Sequence, residues 1–478
     1  MNQPLHSEII IGAGPAGLTA AYELVKNNHV PLVLESSPIP GGIARTEEYK
    51  AYRFDIGGHR FFTQVTEIEN LWHEVLGDEF IRVPRLSRIF YQGKFFDYPL
   101  NLKTTLSNLG ARESVLIFLS YTRWKIAPHR QEKNFEQWVT NRFGNRLYRT
   151  FFKTYTEKVW GIPCTEIQAE WAAQRIRGLS LISTLRNALF GGNHVKSLIS
   201  EFDYPRLGPG QMWEYFTQKV ENGGGKVLFN QGVYELHHDN HQITSVTIQS
   251  NSGDKSTFTA EHYISSMPIT HLVKSLCPAA PPEVIQAAKN LRYRALILVA
   301  LMVKDEQLFP DNWIYVHTPK VQVGRIQNFK NWSADMVPET GNSCLGMEYF
   351  CSEDDALWNT SDADLLKQAE HELENLGLVT RGAVFDGKVV RQPKAYPVYD
   401  ADYKKNLEIL RHYLAQFNNL QTIGRNGMHR YNNQDHSMLT GLLAARNILG
   451  ENHDLWNVNV ERSYQEEFVV DKNESKTL

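Results

Sequence analysis

The stretch Glu8-Ile9-Ile10-Ile11-Gly12-Ala13-Gly14-Pro15-Ala16-Gly17 leaves this chain little choice in how its first unit folds. Three successive isoleucines predict a strand buried on both faces, as in a parallel sheet. Glycines at 12, 14 and 17 give G-x-G-x-x-G, and a helical run from Leu18 to Val25 follows directly. Gly12 allows the tight turn, Gly14 lets backbone approach a pyrophosphate, and Gly17 lets the helix close on the strand. Ala16 keeps the same face small, and the helix start offers free N–H groups to phosphates. A second apolar strand, Val30 to Leu34, ends at Glu35, 18 residues past Gly17 (35 − 17). An acid there is placed to accept from a ribose 2′-hydroxyl, which a 2′-phosphate would repel. Strand, turn, helix and acid in this order predict a dinucleotide site.

The next residues choose the dinucleotide. Gly41-Gly42-Ile43-Ala44-Arg45-Thr46 and then Gly57-Gly58-His59 stand where a dehydrogenase would run into a third strand. Glycine pairs suit backbone that presses against a flat cofactor. This arrangement resembles the FAD segment of the amine oxidase and UDP-galactopyranose mutase superfamily. The resemblance implies FAD, with Gly41, Gly42, Arg45 and Thr46 along the diphosphate and ribityl chain. Gly57, Gly58 and His59 then reach the isoalloxazine. His59 either faces the flavin or packs beside it.

The chain has 478 residues, enough for two or three domains, with 42% hydrophobic and 22% charged residues. A net charge of −3 gives no electrostatic reason to expect nucleic acid. The cysteines, at 164, 277, 344 and 351, lack metal-ligand spacing. No apolar run approaches the ~18 residues of a membrane span, and no basic leader precedes the first strand. A cytoplasmic flavoprotein without a metal is the expectation.

The organisation predicted is α/β. A Rossmann-type, GR2-like FAD-binding domain, discontinuous in sequence, is assembled from residues 1–63, 201–270 and 411–460. A helix-rich substrate or cap region occupies 64–200, an antiparallel-sheet substrate domain 271–410, and a polar tail 461–478. Within these, Ser87–Pro99 reads as a hairpin turning at Gln92-Gly93. The Arg-aromatic run Glu136–Phe152 reads as one amphipathic helix. Near the end, Leu420–Ile423 is a strand, Gly424-Arg425-Asn426-Gly427 a turn, and Met438–Leu449 a helix.

Four stretches resemble UDP-galactopyranose mutases in the same order. They are Tyr204-Pro205-Arg206 with Gly208, Gly210 and Trp213; Trp313-Ile314-Tyr315 with Gly324-Arg325; Arg391 with Tyr396-Pro397; and Gly424-Arg425 through Arg430-Tyr431 to Ser437. The resemblance implies that Val233, Gly424, Arg425, Asn433, Gln434, Asp435 and Ser437 meet the cofactor. Asp435 could equally cap its helix. It further implies that Arg206, Trp313, Tyr315, Arg325, Tyr396 and Tyr431 hold a nucleotide sugar. His59, Arg206, Arg325, Tyr396, Tyr431 and Asn433 are the expected catalytic set. Arginine suits a pyrophosphate because its charge is permanent and its donors are forked. The activity implied is pyranose–furanose interconversion, with N5 of reduced, non-covalent FAD as nucleophile at the anomeric carbon and NAD(P)H as external reductant. The alternative is an oxidoreductase of the amine oxidase or protoporphyrinogen oxidase type. No motif encodes the hexose, the base or the oligomeric state.

Overall fold

The computed structural model describes residues 6–98, 100, 102–169, 200–250, 253–304 and 308–459. The expected tail at 461–478, Pro99 at the end of the hairpin and part of the 64–200 region lie outside them. The triple isoleucine forms the middle strand, His6–Ile11, of a five-stranded parallel sheet. Ala260–Ser265 and Leu32–Leu34 flank it, with Leu420–Thr422 and Lys226–Leu228 at the edges. Because strand side chains alternate, Ile10 enters one apolar core while Ile9 and Ile11 enter the core on the other face.

The first face is covered by helix Pro15–Lys26 and, crossing it, helix Gln434–Ile448. They meet at Gly441, where an added Cβ would stand 2.0 Å from the Ala16 carbonyl oxygen. The Met438–Leu449 helix expected from sequence therefore begins four residues early, at Gln434, and runs to Ile448. Gly441→Ala is expected to cost about 1–3 kcal/mol through forced separation of the helices. Flavin content should fall with it, since both helices begin at the cavity described below. Urea titration and the flavin absorbance of purified protein measure the two effects; wild-type values for both would sink the expectation.

The second large sheet has seven strands, ordered Val384–Pro397, Tyr293–Lys304, Asn342–Cys351, Arg325–Asn328, Trp313–Val316, Ser87–Tyr91 and Lys94–Asp97. The antiparallel sheet expected between 271 and 410 thus also takes in the hairpin from residues 87–97, whose first strand runs parallel to Trp313–Val316. The hairpin turns at Gln92 (φ 49°) and Gly93 (φ 75°), the double left-handed turn that matches strand twist. A smaller sheet of four strands, Lys255–Phe258, Gln242–Ser250, Gln231–Asp239 and Leu276–Cys277, completes the β structure around the second core.

The helical part corrects one expectation. The Glu136–Phe152 run is not one helix: helix Phe135–Leu147 is kinked at Gly144 (φ 80°, ψ 152°) and passes into a π-helical turn, Tyr148–Lys153. Helix Ala111–Ile126 causes the close contact there, for a Cβ at Gly144 would lie 2.9 Å from the Tyr121 nitrogen.

Candidate active site

The parallel sheet, the seven-stranded sheet and the helices between them enclose a cavity of about 1890 Å³. A single small-molecule site usually takes roughly 300–1,000 Å³, so there is room for two ligands. Gly12, Gly14, Ala16, Glu35, Gly42, Arg45, Gly57, Gly58, His59, Val233, Gly424, Arg425, Asn433, Gln434, Asp435 and Ser437 line it. So do Trp313, Tyr315, Arg325, Tyr396 and Tyr431.

Four singled-out residues stand elsewhere. Gly17 is behind the wall, where a Cβ would be 1.9 Å from the Gly12 carbonyl oxygen. Gly41 donates its N–H to the Ala13 carbonyl (2.8 Å), tying the two glycine loops together. The Thr46 hydroxyl accepts from the Gly210 N–H (2.9 Å) and donates to Asp55 (3.1 Å). Arg206 does not reach the cavity. Its half-exposed side chain pairs with Asp335 (3.2 Å) and Glu79 (3.6 Å), two acids that draw it away at the end of strand Glu201–Pro205.

At one end of the cavity both principal helices begin without a side-chain cap, at Gly14 and at Asn433. Two sets of first-turn N–H groups and two positive dipole ends therefore face the same space. Glu35 closes this end; its carboxylate accepts from the Ala13 N–H (2.7 Å) and the Ser37 N–H (2.8 Å). Those bonds fix the carboxylate and leave lone pairs for ribose hydroxyls. Asp435 does not cap its helix but lies 3.0 Å from the His436 ring. His59 is half-buried, and its buried Nδ1 has no hydrogen-bond partner among the described residues. An orphaned buried nitrogen beside Gly57 and Gly58 is what a polar ring edge would satisfy. These residues fit a flavin dinucleotide.

Beside the glycine pair the lining is cationic and aromatic, for an added Cβ at Gly57 would lie 3.5 Å from Arg325 Nη2. Arg325 donates from Nε and Nη2 to the buried Glu348 carboxylate (2.9 and 2.6 Å), and Gln327 donates to the same group (2.7 Å). Tyr396 and Tyr431 stack at 5.8 Å and 22°. The Arg425 guanidinium lies 4.0 Å from the Tyr431 ring centre and 5.0 Å from that of Tyr396. Its hydrogen bonds go to the carbonyls of Ala395 and Asn432, and among the described residues no carboxylate pairs with it. Trp160 stands 6.3 Å from Tyr431. Tyr155 stacks on His317 at 4.9 Å and 3°. Burial holds the Tyr155 and Tyr396 hydroxyls protonated, well above the ordinary phenol range.

Sequence reasoning missed Glu348, Gln327, Tyr155 and Trp160. Gln327 and Glu348 sit on strands Arg325–Asn328 and Asn342–Cys351, within the expected sheet domain, and the apolar residues beside them (Ile326, Met347) were the available signal. Tyr155 and Trp160 belong to a helix, Thr154–Trp160, with no comparable motif.

Burial sets an acid response. It lowers His59 and His317 to about 3 and His429 to about 4, with the Arg425 and Arg325 cations adding at His59 and Lys158 at His317. A histidine depressed in the fold gives stability that is complete above its ordinary 6.5 and is lost as pH falls toward the folded value. Asp55, pushed up to about 8 by burial, acts oppositely and costs stability as pH rises from about 4 to 8. Three histidines against one acid leave a net slope of roughly 3 kcal/mol per pH unit between about pH 6 and 4. Unfolding free energies across that range measure it, and Asp55→Asn should steepen the loss. A flat profile would show that these groups are not enclosed.

Residues 15–400 match the family described as flavin containing amine oxidoreductase. The chain belongs to that family. The L-amino acid oxidase bordonein-L of Crotalus durissus terrificus is 25% identical over 318 residues, 62% of this chain and 57% of that protein. The 15-cis-phytoene desaturase of Narcissus pseudonarcissus is 32% identical over 110 residues, 22% of this chain and 19% of that one. The chain therefore spans little more than half of the first relative's length and a fifth of the second's. Among solved structures, a reduced UDP-galactopyranose mutase superposes with a TM-score of 0.83 at 21% identity, covering 96% of this chain and 99% of that one. Putrescine oxidase bound to putrescine gives 0.60 at 16%, over 94% and 100%. These likenesses describe the fold. The amine oxidoreductase assignment makes the chain a flavoenzyme that uses FAD, and no helix among the described residues is long and apolar enough to cross a membrane.

Proposed function

We propose that this flavoenzyme interconverts the six- and five-membered rings of a nucleotide sugar. The observation that carries the reading is Arg425, a cation that no carboxylate pairs with among the described residues, set against the Tyr396 and Tyr431 rings in the cavity wall. A charge left uncompensated in an enclosed site is costly unless an anion is meant to join it. Forked N–H donors beside two phenols suit a diphosphate. The TM-score of 0.83 to a reduced UDP-galactopyranose mutase supports the same reading.

The residues divide the work as follows. Residues 1–63, 201–270 and 411–460 form one FAD-binding unit, a division supported by the origins of the parallel strands. Glu35 and the two helix starts hold the dinucleotide. Among the described residues no cysteine lines the cavity, which supports non-covalent binding. Reduced FAD would supply an electron pair on N5 and regain it each cycle, NAD(P)H serving only to bring the flavin to its reduced form. Arg425 and the free edge of Arg325 hold the diphosphate as it leaves and returns. Tyr396 donates as a neutral phenol, Tyr431 adds a second hydroxyl, and Trp313 and Tyr315 wall the sugar. His59, held neutral, accepts or donates at its unpaired nitrogen without adding a charge.

The test is a titration of reduced protein with UDP-, dTDP- and GDP-sugars, followed by flavin fluorescence. One of them should bind below millimolar concentration, and Arg425→Ala should weaken that binding by about 2–4 kcal/mol with flavin content unchanged. A second reading, net oxidation of an amine or an alkene-forming substrate, is favoured by the oxidase and desaturase relatives. It becomes the better one if no nucleotide diphosphate binds and oxygen is consumed with such substrates.

A further inference from the structure

Eight large hydrophobic side chains are conspicuously exposed among the described residues, and four of them lie on the single helix Ala111–Ile126. They are Val115 (59% exposed), Phe118 (62%), Leu119 (57%) and Ile126 (80%). Spacings of three, four and eleven residues from Val115 put them on one stripe. Ile117, on the opposite side, is the residue this helix buries against helix Phe135–Leu147. The stripe therefore points directly away from the protein.

Charge around it is one-sided. Arg112 and Arg123 flank the stripe on one edge and Lys125 on the other, with Arg130 and Lys133 in the exposed stretch that follows. Among the described residues none of these five forms an ion pair with a carboxylate. The two acids of this region are already neutralised, Glu113 by Arg146 (2.5 Å) and Glu132 by Arg142 (2.6 Å). A chain of net charge −3 thus carries a locally cationic, apolar helix face.

We propose that this helix face docks on an anionic lipid surface, lying in the headgroup layer with Phe118, Leu119 and Ile126 inserted. An apolar stripe bordered by arginine and lysine is the pattern that partitions into that layer. Cations at the rim add attraction to anionic headgroups over about a Debye length. A second copy of the chain is a poor occupant, because a two-fold contact would set the same cations against each other. The helix has 16 residues and does not span; it rests on the surface.

The experiment is co-sedimentation of the FAD-loaded protein with phosphatidylcholine vesicles, with and without phosphatidylglycerol. Binding is expected only with phosphatidylglycerol and should fall steeply with added salt. The F118S/L119S/I126S protein should bind at least about tenfold more weakly, and R123E/K125E should lose the response to phosphatidylglycerol. Neither change touches the cavity, so flavin absorbance should match wild type and certify the fold. The proposal is overturned if wild-type protein stays in the supernatant with anionic vesicles. Equal binding by the variants overturns it too. So does self-association of wild type on size exclusion that the serine substitutions disperse.

Discussion

Anaerobic reduction with dithionite is expected to switch on interconversion of pyranose and furanose forms of a nucleotide sugar, from essentially nothing in the oxidised protein. Where Arg325, Arg425, Tyr396 and Tyr431 line the cavity, the groups described below are tied up or held neutral. Glu348 is fully buried and tied to Arg325 and Gln327. Burial keeps the Tyr396 hydroxyl protonated, and His59 is held neutral beside the glycine pair. On the proposed mutase reading the electron pair comes from reduced cofactor, and oxidised protein lacks it. The difference should be at least roughly a thousandfold, the scale on which removal of a catalytic nucleophile is felt. Chromatography of the nucleotide sugars gives the readout, and reductant should not be consumed in proportion to product. An oxidase answers the same treatment oppositely, since its cycle begins from oxidised flavin. Turnover only with oxidised protein, with an equivalent of acceptor reduced per cycle, would end the mutase reading.

Arg325→Ala is expected to damage the fold as well as the site. Arg325 and Glu348 face each other across two antiparallel strands, and Glu348 has no exposed surface. Removing the arginine leaves a carboxylate enclosed with only Gln327 as donor, a loss of about 3–5 kcal/mol. Replacing the pair with apolar groups of similar bulk, Arg325→Met with Glu348→Leu, should recover most of that stability. It should not recover nucleotide-sugar binding, because no cation is restored. Urea unfolding and the fluorescence titration on single and double variants separate the two roles. If the double variant is as unstable as Arg325→Ala alone, the ion pair is not what the single substitution breaks.

The sequence by itself determined the start of the fold and most of the glycine-rich lining of the cavity. Those signals are local. Glycines 12, 14 and 17, the acid at 35 and the pairs at 41–42 and 57–58 act through backbone conformation and close approach, which follow from residue type and spacing. The Gln92-Gly93 hairpin was legible for the same reason, observed as strands Ser87–Tyr91 and Lys94–Asp97. Tertiary structure decided what depends on which strands pair and which helices cross. Arg206 and Arg325 both sit in stretches resembling the same family, yet one lies among surface acids and the other opposite Glu348. No local rule distinguishes them, since strand register is set by distant partners. Gly144 breaks a run that reads as continuous helix because Tyr121, on another helix, occupies the space. Arg425 carries a glycine-turn motif in the sequence, but only the stacking of Tyr396 on Tyr431, brought from strand and loop 35 residues apart (431 − 396), makes it an unpaired charge facing a ligand. Backbone geometry is written residue by residue, whereas the electrostatics of a cavity belong to the groups that folding gathers around it.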